Sequence, residues 1–425
     1  MNIRHAILGS VAATALLSSA ALAADLPSRK APLEAPVAGF SWTGFYLGAN
    51  VGYGMRNVEL SGFGLGLDGV GGKGVVGGLT AGFDWQFAQS WVIGLALDGN
   101  LSGIETTVSP GGLFKAEQKS SWAARARLGY LVSPATMLYG TAGYAQSSNK
   151  ITVGPGSISP KYNGTVIGGG IEHRIGGNWS VNAEYLYTMY NRKEIVPGLG
   201  LFLQPNTGVA RVGLNYKFGG MGAVYPTFAA PGRSNWSGFF AGVQGGYSMA
   251  TSKLTLGPVG VDGLGSQGPF GGLIAGYDHQ FAPNWLVGVE ADVSLKDVKS
   301  TVKAAGVTVA TAKGDYDWGV RARLGYIATP GTMLFASAGY GQNHSKLSVP
   351  ILPAINSSWT AGGLQIGAGI ETLLTSNLSL RAEYLHSFYG KKTLFNVVGV
   401  TTDEGKARLG LTYKFGGPSA VVAKY

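Results

Sequence analysis

The chain has 425 residues, of which 70 are glycine, 11% are aromatic and only 13% are charged, and it contains no cysteine. The missing cysteines exclude disulfide bonds and cysteine-based zinc sites. The formal charge of +10 arises from Lys and Arg that are dispersed along the chain, and nucleic-acid-binding proteins instead cluster their basic residues. We therefore expect no nucleic-acid partner, and the composition favours an all-β protein with closely packed backbones.

Residues 1–23 are predicted to be a secretory signal peptide. Arg4 and His5 precede an apolar stretch at residues 6–17, and Ala21-Leu22-Ala23 matches the small-residue box that places cleavage between Ala23 and Ala24. No later stretch offers the run of about 20 apolar residues that a spanning helix needs. We therefore expect an exported chain that can enter a membrane only as strands.

The rest of the sequence is written twice. Residues 42–48 (WTGFYLG) return as 236–242 (WSGFFAG), and residues 122–130 (WAARARLGY) return as 318–326 (WGVRARLGY). Such a long period is that of a duplicated domain, since solenoid repeats are much shorter. The predicted organisation after the signal is a leader at 24–41, a first repeat at 42–220, a linker at 221–235 and a second repeat at 236–425.

Eight strands are predicted in the first repeat. They lie near residues 43–54, 77–88, 91–103, 117–131, 136–147, 163–175, 178–191 and 206–218. These lengths suit tilted membrane strands, which need about 9–11 residues. Short turns alternate with long Gly- or Ser-rich segments that are predicted to be loops, at residues 55–76, 104–116, 148–162 and 192–205. The glycine-rich residues 71–78 resemble a phosphate-binding loop only faintly, and we interpret them as part of a surface loop.

Side chains alternate along each predicted strand with a period of two. In residues 122–130, Trp122, Leu128 and Tyr130 fall on one face, and Arg125 and Arg127 fall on the other. An apolar face with aromatic ends opposite a charged face is typical of a transmembrane β-barrel, which has lipid outside and a polar interior. A single stretch of this kind could also be the edge strand of a soluble sandwich, but the regular alternation of short and long connections favours the barrel.

Many charged side chains are predicted to face the barrel interior. An eight-stranded barrel is filled by its own side chains, and an unpaired buried charge is costly, so we predict a structural network of ion pairs. Its predicted members are Asp84, Asp98, Arg125, Arg127, Glu172, Glu184, Arg211, Asp278, Glu290, Asp292, Arg321, Arg323, Glu371, Arg381, Glu383 and Arg408.

Catalytic and metal sites find little support in the sequence. A glycosidase-like pair such as Glu172 with Glu184 would need an open cleft and a carboxyl that holds its proton, whereas neighbouring arginines stabilise the ionised form. The five histidines lack metal-ligand spacing, and no hydrolase or nucleotide-binding motif occurs. We therefore predict a protein that is not an enzyme and that has no cofactor and no metal.

Four segments carry a family resemblance. Residues 42–48 (WTGFYLG), 125–130 (RARLGY), 184–187 (EYLY) and 212–218 (VGLNYKF) resemble the small outer-membrane β-barrel proteins, the porin family, of alphaproteobacteria. The resemblance implies an outer-membrane location and an eight-stranded antiparallel barrel for each repeat. It also implies insertion by the outer-membrane assembly machinery, because the strand ends at Phe218 and Phe415 are similar to the signal that this machinery reads, as is the aromatic-ended tail at 421–425.

Two architectures follow from the duplication. The chain folds either as two tandem eight-stranded barrels or as one sixteen-stranded barrel, which would enclose an aqueous channel. The linker at 221–235 is longer than a periplasmic turn, and each repeat carries its own set of inward charges. Both features favour two separate barrels.

The expected function follows from these two architectures. We expect a structural outer-membrane protein that contributes to envelope integrity and presents a surface. The alternatives are a passive porin for small hydrophilic solutes, and an adhesin that binds a host through the predicted loops 55–76, 148–162, 249–270 and 343–363. The expected partners are outer-membrane lipid and lipopolysaccharide, the assembly machinery, and possible surface ligands of the loops.

Overall fold

A computed structural model describes residues 41–108, 114–196, 198, 200–219, 235–256, 259–350 and 356–415. The predicted signal peptide with its Ala23–Ala24 cleavage site lies outside these residues, as do the tail at 421–425 and all but the last residue of the predicted leader and of the linker. Every regular element in the described part of the chain is a β-strand. Within it, no helix is long and apolar enough to span a membrane.

The first repeat forms an antiparallel barrel with eight wall strands. Three short strands extend the connections between them. The elements are β1 (Gly44–Gly62), β2 (Leu65–Ala88), β3 (Trp91–Ser102), β4 (Glu105–Val108), β5 (Phe114–Ser133), β6 (Thr136–Val153), β7 (Gly156–Ile158), β8 (Lys161–Gly176), β9 (Trp179–Tyr190), β10 (Lys193–Val196) and β11 (Leu201–Phe218). The barrel closes because β11 pairs with β1, from Phe45↔Phe218 to Ser61↔Phe202.

The second repeat forms its own antiparallel barrel. Its strands are β12 (Gly238–Leu256), β13 (Val259–Ala282), β14 (Trp285–Ala304), β15 (Val307–Thr329), β16 (Thr332–Ser348), β17 (Ser357–Leu373), β18 (Leu378–Leu394) and β19 (Val398–Lys414). The last strand pairs with the first, from Phe240↔Lys414 to Leu256↔Val398. The hydrogen-bond ladders therefore close each repeat upon itself, whereas a sixteen-stranded barrel would require β1 to pair with β19.

The predicted all-β barrel with inverted polarity is confirmed. On β5, Arg125 and Arg127 are each only 5% exposed, whereas Leu128 on the opposite face is 50% exposed. The exposed apolar side chains include Trp85, Trp91 and Trp179 near the short-turn ends of their strands, where aromatic girdles sit in outer-membrane barrels. Because successive side chains of a strand point to opposite faces, one register of β5 turns its arginines inward and its exposed apolar side chains outward.

The predicted long loops are wrong in extent. Most of residues 55–76 belongs to β1 and β2, which stay paired from Val58↔Val70 to Gly62↔Leu65. The turn itself is Phe63 and Gly64, both at positive φ. The glycine-rich residues 71–78, interpreted as a flexible loop, lie within β2. Beyond the bilayer neither face must be apolar, so alternation disappears from the sequence, but the backbone groups still need partners and find them across the hairpin.

The other predicted loops are also largely strand. The structure places β6, β7 and β8 over most of 148–162, and β12 and β13 over most of 249–270. The segments 104–116 and 192–205 contain β4 and β10, and in 343–363 only the stretch between β16 and β17 is free of strand in the described residues. The long-loop ends of the barrels are therefore mostly β-hairpins that continue the wall strands.

Candidate functional site: the charge networks inside the barrels

The lower layer of the first barrel is a four-membered charge cluster. Arg127 donates from Nε to Asp84 Oδ1 at 2.7 Å and from Nη1 to Glu172 Oε2 at 2.9 Å. Lys217 donates to Asp84 Oδ2 at 2.5 Å, and Ser180 donates to Glu172 Oε1 at 2.6 Å. Two cations, on β5 and β11, thus face two carboxylates, on β2 and β8. The charges of the layer balance.

A second layer lies further from the short turns, on β3, β5, β9 and β11. Arg125 donates to Asp98 Oδ2 at 2.6 Å and to Glu184 Oε2 at 3.1 Å. Arg211 donates to the second oxygen of each carboxylate, at 2.7 Å for Asp98 and 2.8 Å for Glu184. The two arginines and two carboxylates form a closed ring of charge-assisted hydrogen bonds, which is the arrangement that best compensates buried ions.

Aromatic rings enclose the lower layer of the first barrel. The Arg127 guanidinium lies 4.7 Å from the ring centre of Tyr46 and 5.3 Å from that of Tyr139. The ammonium of Lys217 lies 5.1 Å from the ring of Trp42. Buried cation–π contacts of this kind add to the ion pairs.

The second barrel repeats the lower layer with equivalent residues. Arg323 donates to Asp278 Oδ1 at 2.7 Å and to Glu371 Oε2 at 3.0 Å. Lys414 lies 3.2 Å from Asp278 and 2.8 Å from Glu371, and Ser379 donates to Glu371 at 2.8 Å. The sequence duplication therefore reproduces the chemistry of the layer as well as the fold.

The middle layer of the second barrel is richer in charge. Arg381 bridges Glu290 at 2.6 Å and Glu383 at 2.5 Å. Arg321 contacts Glu290 and Asp292, and Arg408 donates to Glu383 at 3.0 Å. Glu290 and Arg381 occupy the positions that Ala96 and Asn182 hold in the first repeat, so this layer has gained one complete ion pair.

A further charged layer of the second barrel was missed by the sequence analysis. Lys296 lies 2.9 Å from both Asp317 and Glu404, and Lys406 also contacts Asp317. Lys217 and Lys414 are further network members that were not predicted. The alternation of inward and outward positions would have identified all of these residues, because each lies on the same strand face as a residue that was predicted to belong to the network.

The structure brings all of the predicted network residues into the two lumens. Glu172 and Glu184, weighed above as a catalytic pair, fall in separate layers, and each is bound by its own arginine. Within the described residues, no group of three or more potential metal-ligating side chains is close enough to hold an ion. The inward carboxylates are bound by inward arginines and lysines.

Little free space remains beside the charged layers of the first barrel. A cavity lined by Tyr46, Thr80, Arg125, Glu184 and other inward side chains has a volume of about 10 Å³. This is close to the smallest space that holds one water molecule. The glycines next to the charged layers are part of the same packing, since a Cβ on Gly170 would lie 2.6 Å from the carbonyl oxygen of Ala183.

Charged residues also lie on the hairpins beyond the girdle. Lys119 and Lys115 approach one oxygen of Glu117 at 2.9 and 3.0 Å. The hydrogen bond from Lys119, followed by that from Lys115, holds the pKa of Glu117 below its usual value. Both lysines are solvent-accessible, so the pairs resemble ordinary surface ion pairs, which contribute little to stability.

Both repeats match one known protein family. The outer membrane protein beta-barrel domain matches residues 10–218 and 221–415. The 31 kDa outer-membrane immunogenic protein of Brucella melitensis is 36% identical over 245 residues, which cover 51% of this chain and all of that protein. The 22 kDa outer membrane protein of Rhizobium leguminosarum is 35% identical over 190 residues, which cover 44% of this chain and 82% of that protein.

Solved barrels are more distant. The attachment invasion locus protein of Yersinia pestis is 16% identical with a TM-score of 0.25, and the match covers 41% of this chain and 98% of that one.

Proposed function

This chain belongs to the outer membrane protein beta-barrel domain family, and we propose that it is a structural protein of the outer membrane that supports envelope integrity and presents a surface outside. The single observation that carries the proposal is the filled lumen of the first barrel. Arg125, Arg127 and Arg211 reach across that lumen to Glu184, Glu172 and Asp98, which lie on strands that are not their neighbours. A channel would need polar side chains that leave the axis open.

The charge networks support a non-catalytic role. Each interior carboxylate of the first barrel already accepts hydrogen bonds from a cation, and the cavity beside them holds about one water. A substrate would have to displace ion pairs whose separation leaves buried charges uncompensated. We propose that the networks stiffen the walls of both barrels.

Lipid is the proposed partner of the outer surface. Leu79, Leu95 and Leu97 are between 61% and 69% exposed on the barrel exterior, and exposed apolar bands of this kind face lipid in outer-membrane barrels. We propose that outer-membrane lipid and lipopolysaccharide cover this band. We further propose that the outer-membrane assembly machinery inserts the chain and reads the strand ends at Phe218 and Phe415.

The extended hairpins favour surface presentation as the second part of the function. The β1–β2 hairpin continues to Phe63, which is 71% exposed. Relatives in Brucella are named outer-membrane immunogenic proteins, and these names support a role in which the hairpins are accessible from outside. Adhesion through them would appear as lost surface binding when the β1–β2 and β6–β8 hairpins are shortened while the barrels still fold.

Two measurements test the proposal. In planar bilayers, we expect the refolded mature chain to give no large, stable conductance, whereas a sixteen-stranded porin measured alongside does. In cells, deletion should raise sensitivity to detergent and to bulky apolar antibiotics, and the full chain should restore resistance. Stable pores in the bilayer, or slower uptake of small hydrophilic solutes after deletion, would instead identify a porin.

A further inference from the structure

Four polar side chains on the outer walls form a hydrogen-bonded chain between the two barrels. Thr136 Oγ1 lies 2.9 Å from His173 Nδ1 and 3.2 Å from Thr332 Oγ1, and Thr332 Oγ1 lies 3.0 Å from Thr372 Oγ1. None of the four is more than 1% exposed. Outward positions that meet lipid are apolar in such barrels, so this chain of polar groups indicates a wall that protein covers.

Aromatic contacts join the barrels further along. The rings of Tyr187 and Tyr247 lie 5.0 Å apart, and those of Tyr53 and His386 lie 5.1 Å apart. The second contact is the first with the repeats exchanged, because Tyr247 is the equivalent of Tyr53 and His386 is the equivalent of Tyr187 in the aligned repeats. The interface therefore contains one contact twice, related by an approximate two-fold axis.

Methionines and glycines obey the same exchange. Met55 and Met249 are equivalent outward residues and are 3% and 2% exposed. The sulfur of Met249 packs against Gly208, where an added Cβ would lie only 2.7 Å from that sulfur. The sulfur of Met55 packs against Gly405 in the same way, and the corresponding distance is 2.8 Å. Each repeat thus provides one methionine knob and one glycine recess that fit the partner repeat.

Some contacts lie on the axis itself. Val70 of β2 pairs with Leu264 of β13 in an antiparallel bridge, and these two residues are equivalent. Thr136 and Thr332, at the other end of the barrels, are also equivalent. A residue that meets its own equivalent marks a local two-fold axis, and such an interface is isologous. Strand pairing continues beside the axis, from Thr301↔Asp68 to Ala304↔Leu65 between β14 and β2.

We propose that each repeat carries one self-complementary face, that its partner is the other repeat of the same chain, and that the duplicated protein is a covalently fused dimer of barrels. The face comprises Met55, Thr136, His173, Tyr187 and Gly208 in the first repeat, and their equivalents in the second. Covalent fusion keeps the partner at high effective concentration in the membrane. The two barrels then present their outer hairpins as one joined surface.

A disulfide across the axis tests the proposal, because the natural chain contains no cysteine. The full chain receives a protease site within residues 221–235 and the pair Thr136→Cys and Thr332→Cys. After folding, mild oxidation and cleavage, the halves should remain joined on a denaturing gel and separate when reduced. The matched control is Leu128→Cys with Leu324→Cys, an equivalent outward pair that is 50% and 47% exposed, whose halves should separate without reduction.

A single cysteine distinguishes the partner. With Thr136→Cys alone, we expect no disulfide between chains, because the face is already occupied by the second repeat. A cross-linked pair of chains would overturn the proposal, as would separation of the halves in the Thr136→Cys and Thr332→Cys chain. If either variant folds poorly, the cleaved chain with its natural threonines serves instead: its halves should elute together in mild detergent, and separate elution would overturn the fused dimer.

Discussion

Arg211 on β11 and Asp98 on β3 form an ion pair across the lumen of the first barrel, with 2.7 Å between Nη2 and Oδ1. β1 and β2 lie between these strands in the wall, so the contact passes through the interior. It ties the closing strand of the repeat to an early one. Because the pair is buried, the stability of the barrel should depend on it far more than on any exposed ion pair.

Replacing Arg125 and Arg127 with alanine should strongly destabilise the first barrel. The double variant removes partners of Asp98, Glu184, Asp84 and Glu172 at once. Removal of one partner of a buried pair costs about 3–5 kcal/mol. We therefore expect a large fall in the denaturant midpoint of the first barrel and loss of its heat-modifiable mobility on a gel, with the second barrel unaffected.

The control for this experiment is Lys115→Ala. Lys115 forms ion pairs with Glu105 and Glu117 on an external hairpin, where exposed pairs contribute little. Its midpoint should match that of the parent. If the arginine double variant also unfolds at the parental midpoint, the interior network does not stabilise the barrel.

An arginine on the lipid-facing wall should be costly only at membrane depth. Leu214 of β11 is 43% exposed on the outer face, and an arginine near the bilayer centre costs about 2–4 kcal/mol. We expect Leu214→Arg to lower the free energy of unfolding in lipid vesicles by about that amount. Val153→Arg, at the end of β6 beyond the girdle and 60% exposed, adds the same charge in water and should be tolerated. Equal tolerance at both sites would show that Leu214 does not meet lipid.

Strand faces were predictable from the sequence because a barrel in lipid has a simple rule. Arg125, Arg127 and Leu128 could be assigned inside or outside from period two alone, since the bilayer penalises an outward arginine and accepts an outward leucine. The rule ends where the bilayer ends. For this reason residues 55–76 were interpreted as loop although their backbone remains paired.

The contact between the barrels carried a weaker signal. His173 and Thr372 stand at outward positions where apolar residues are expected, and that exception is visible in the sequence once the register is known. The sequence does not show which surface covers them, because that depends on how far the strands tilt around each barrel. Lys296 and Glu404 are inward residues of strands that the repeat predicts, but their equivalents in the first repeat, Ser102 and Thr207, are uncharged.

Cysteine labelling should give the orientation of the barrels. Ser157 lies on the exposed β7 hairpin, and Ser90 lies in the short turn between β2 and β3. With a membrane-impermeant maleimide, Ser157→Cys should be labelled in intact cells, whereas Ser90→Cys should react only after the outer membrane is opened. The two changes are chemically identical, so reversed labelling would place the hairpins in the periplasm.

Close packing inside the charged layers predicts that an added methyl group lowers the stability of the barrel. A Cβ on Gly94 would lie 2.8 Å from the carbonyl oxygen of Phe83 and would also meet the carboxylate of Asp84, and Gly288 has the same surroundings in the second barrel. Overpacking of this kind costs about 1–3 kcal/mol, so Gly94→Ala and Gly288→Ala should each lower the unfolding midpoint of their own barrel. Gly140→Ala is the control, because no atom lies within 4 Å of the added Cβ on the outer wall. Since alanine also restricts the unfolded chain, this control should be neutral or slightly stabilising. Parental stability for Gly94→Ala would mean that the interior has room for a methyl group, and the lumen would then not be filled.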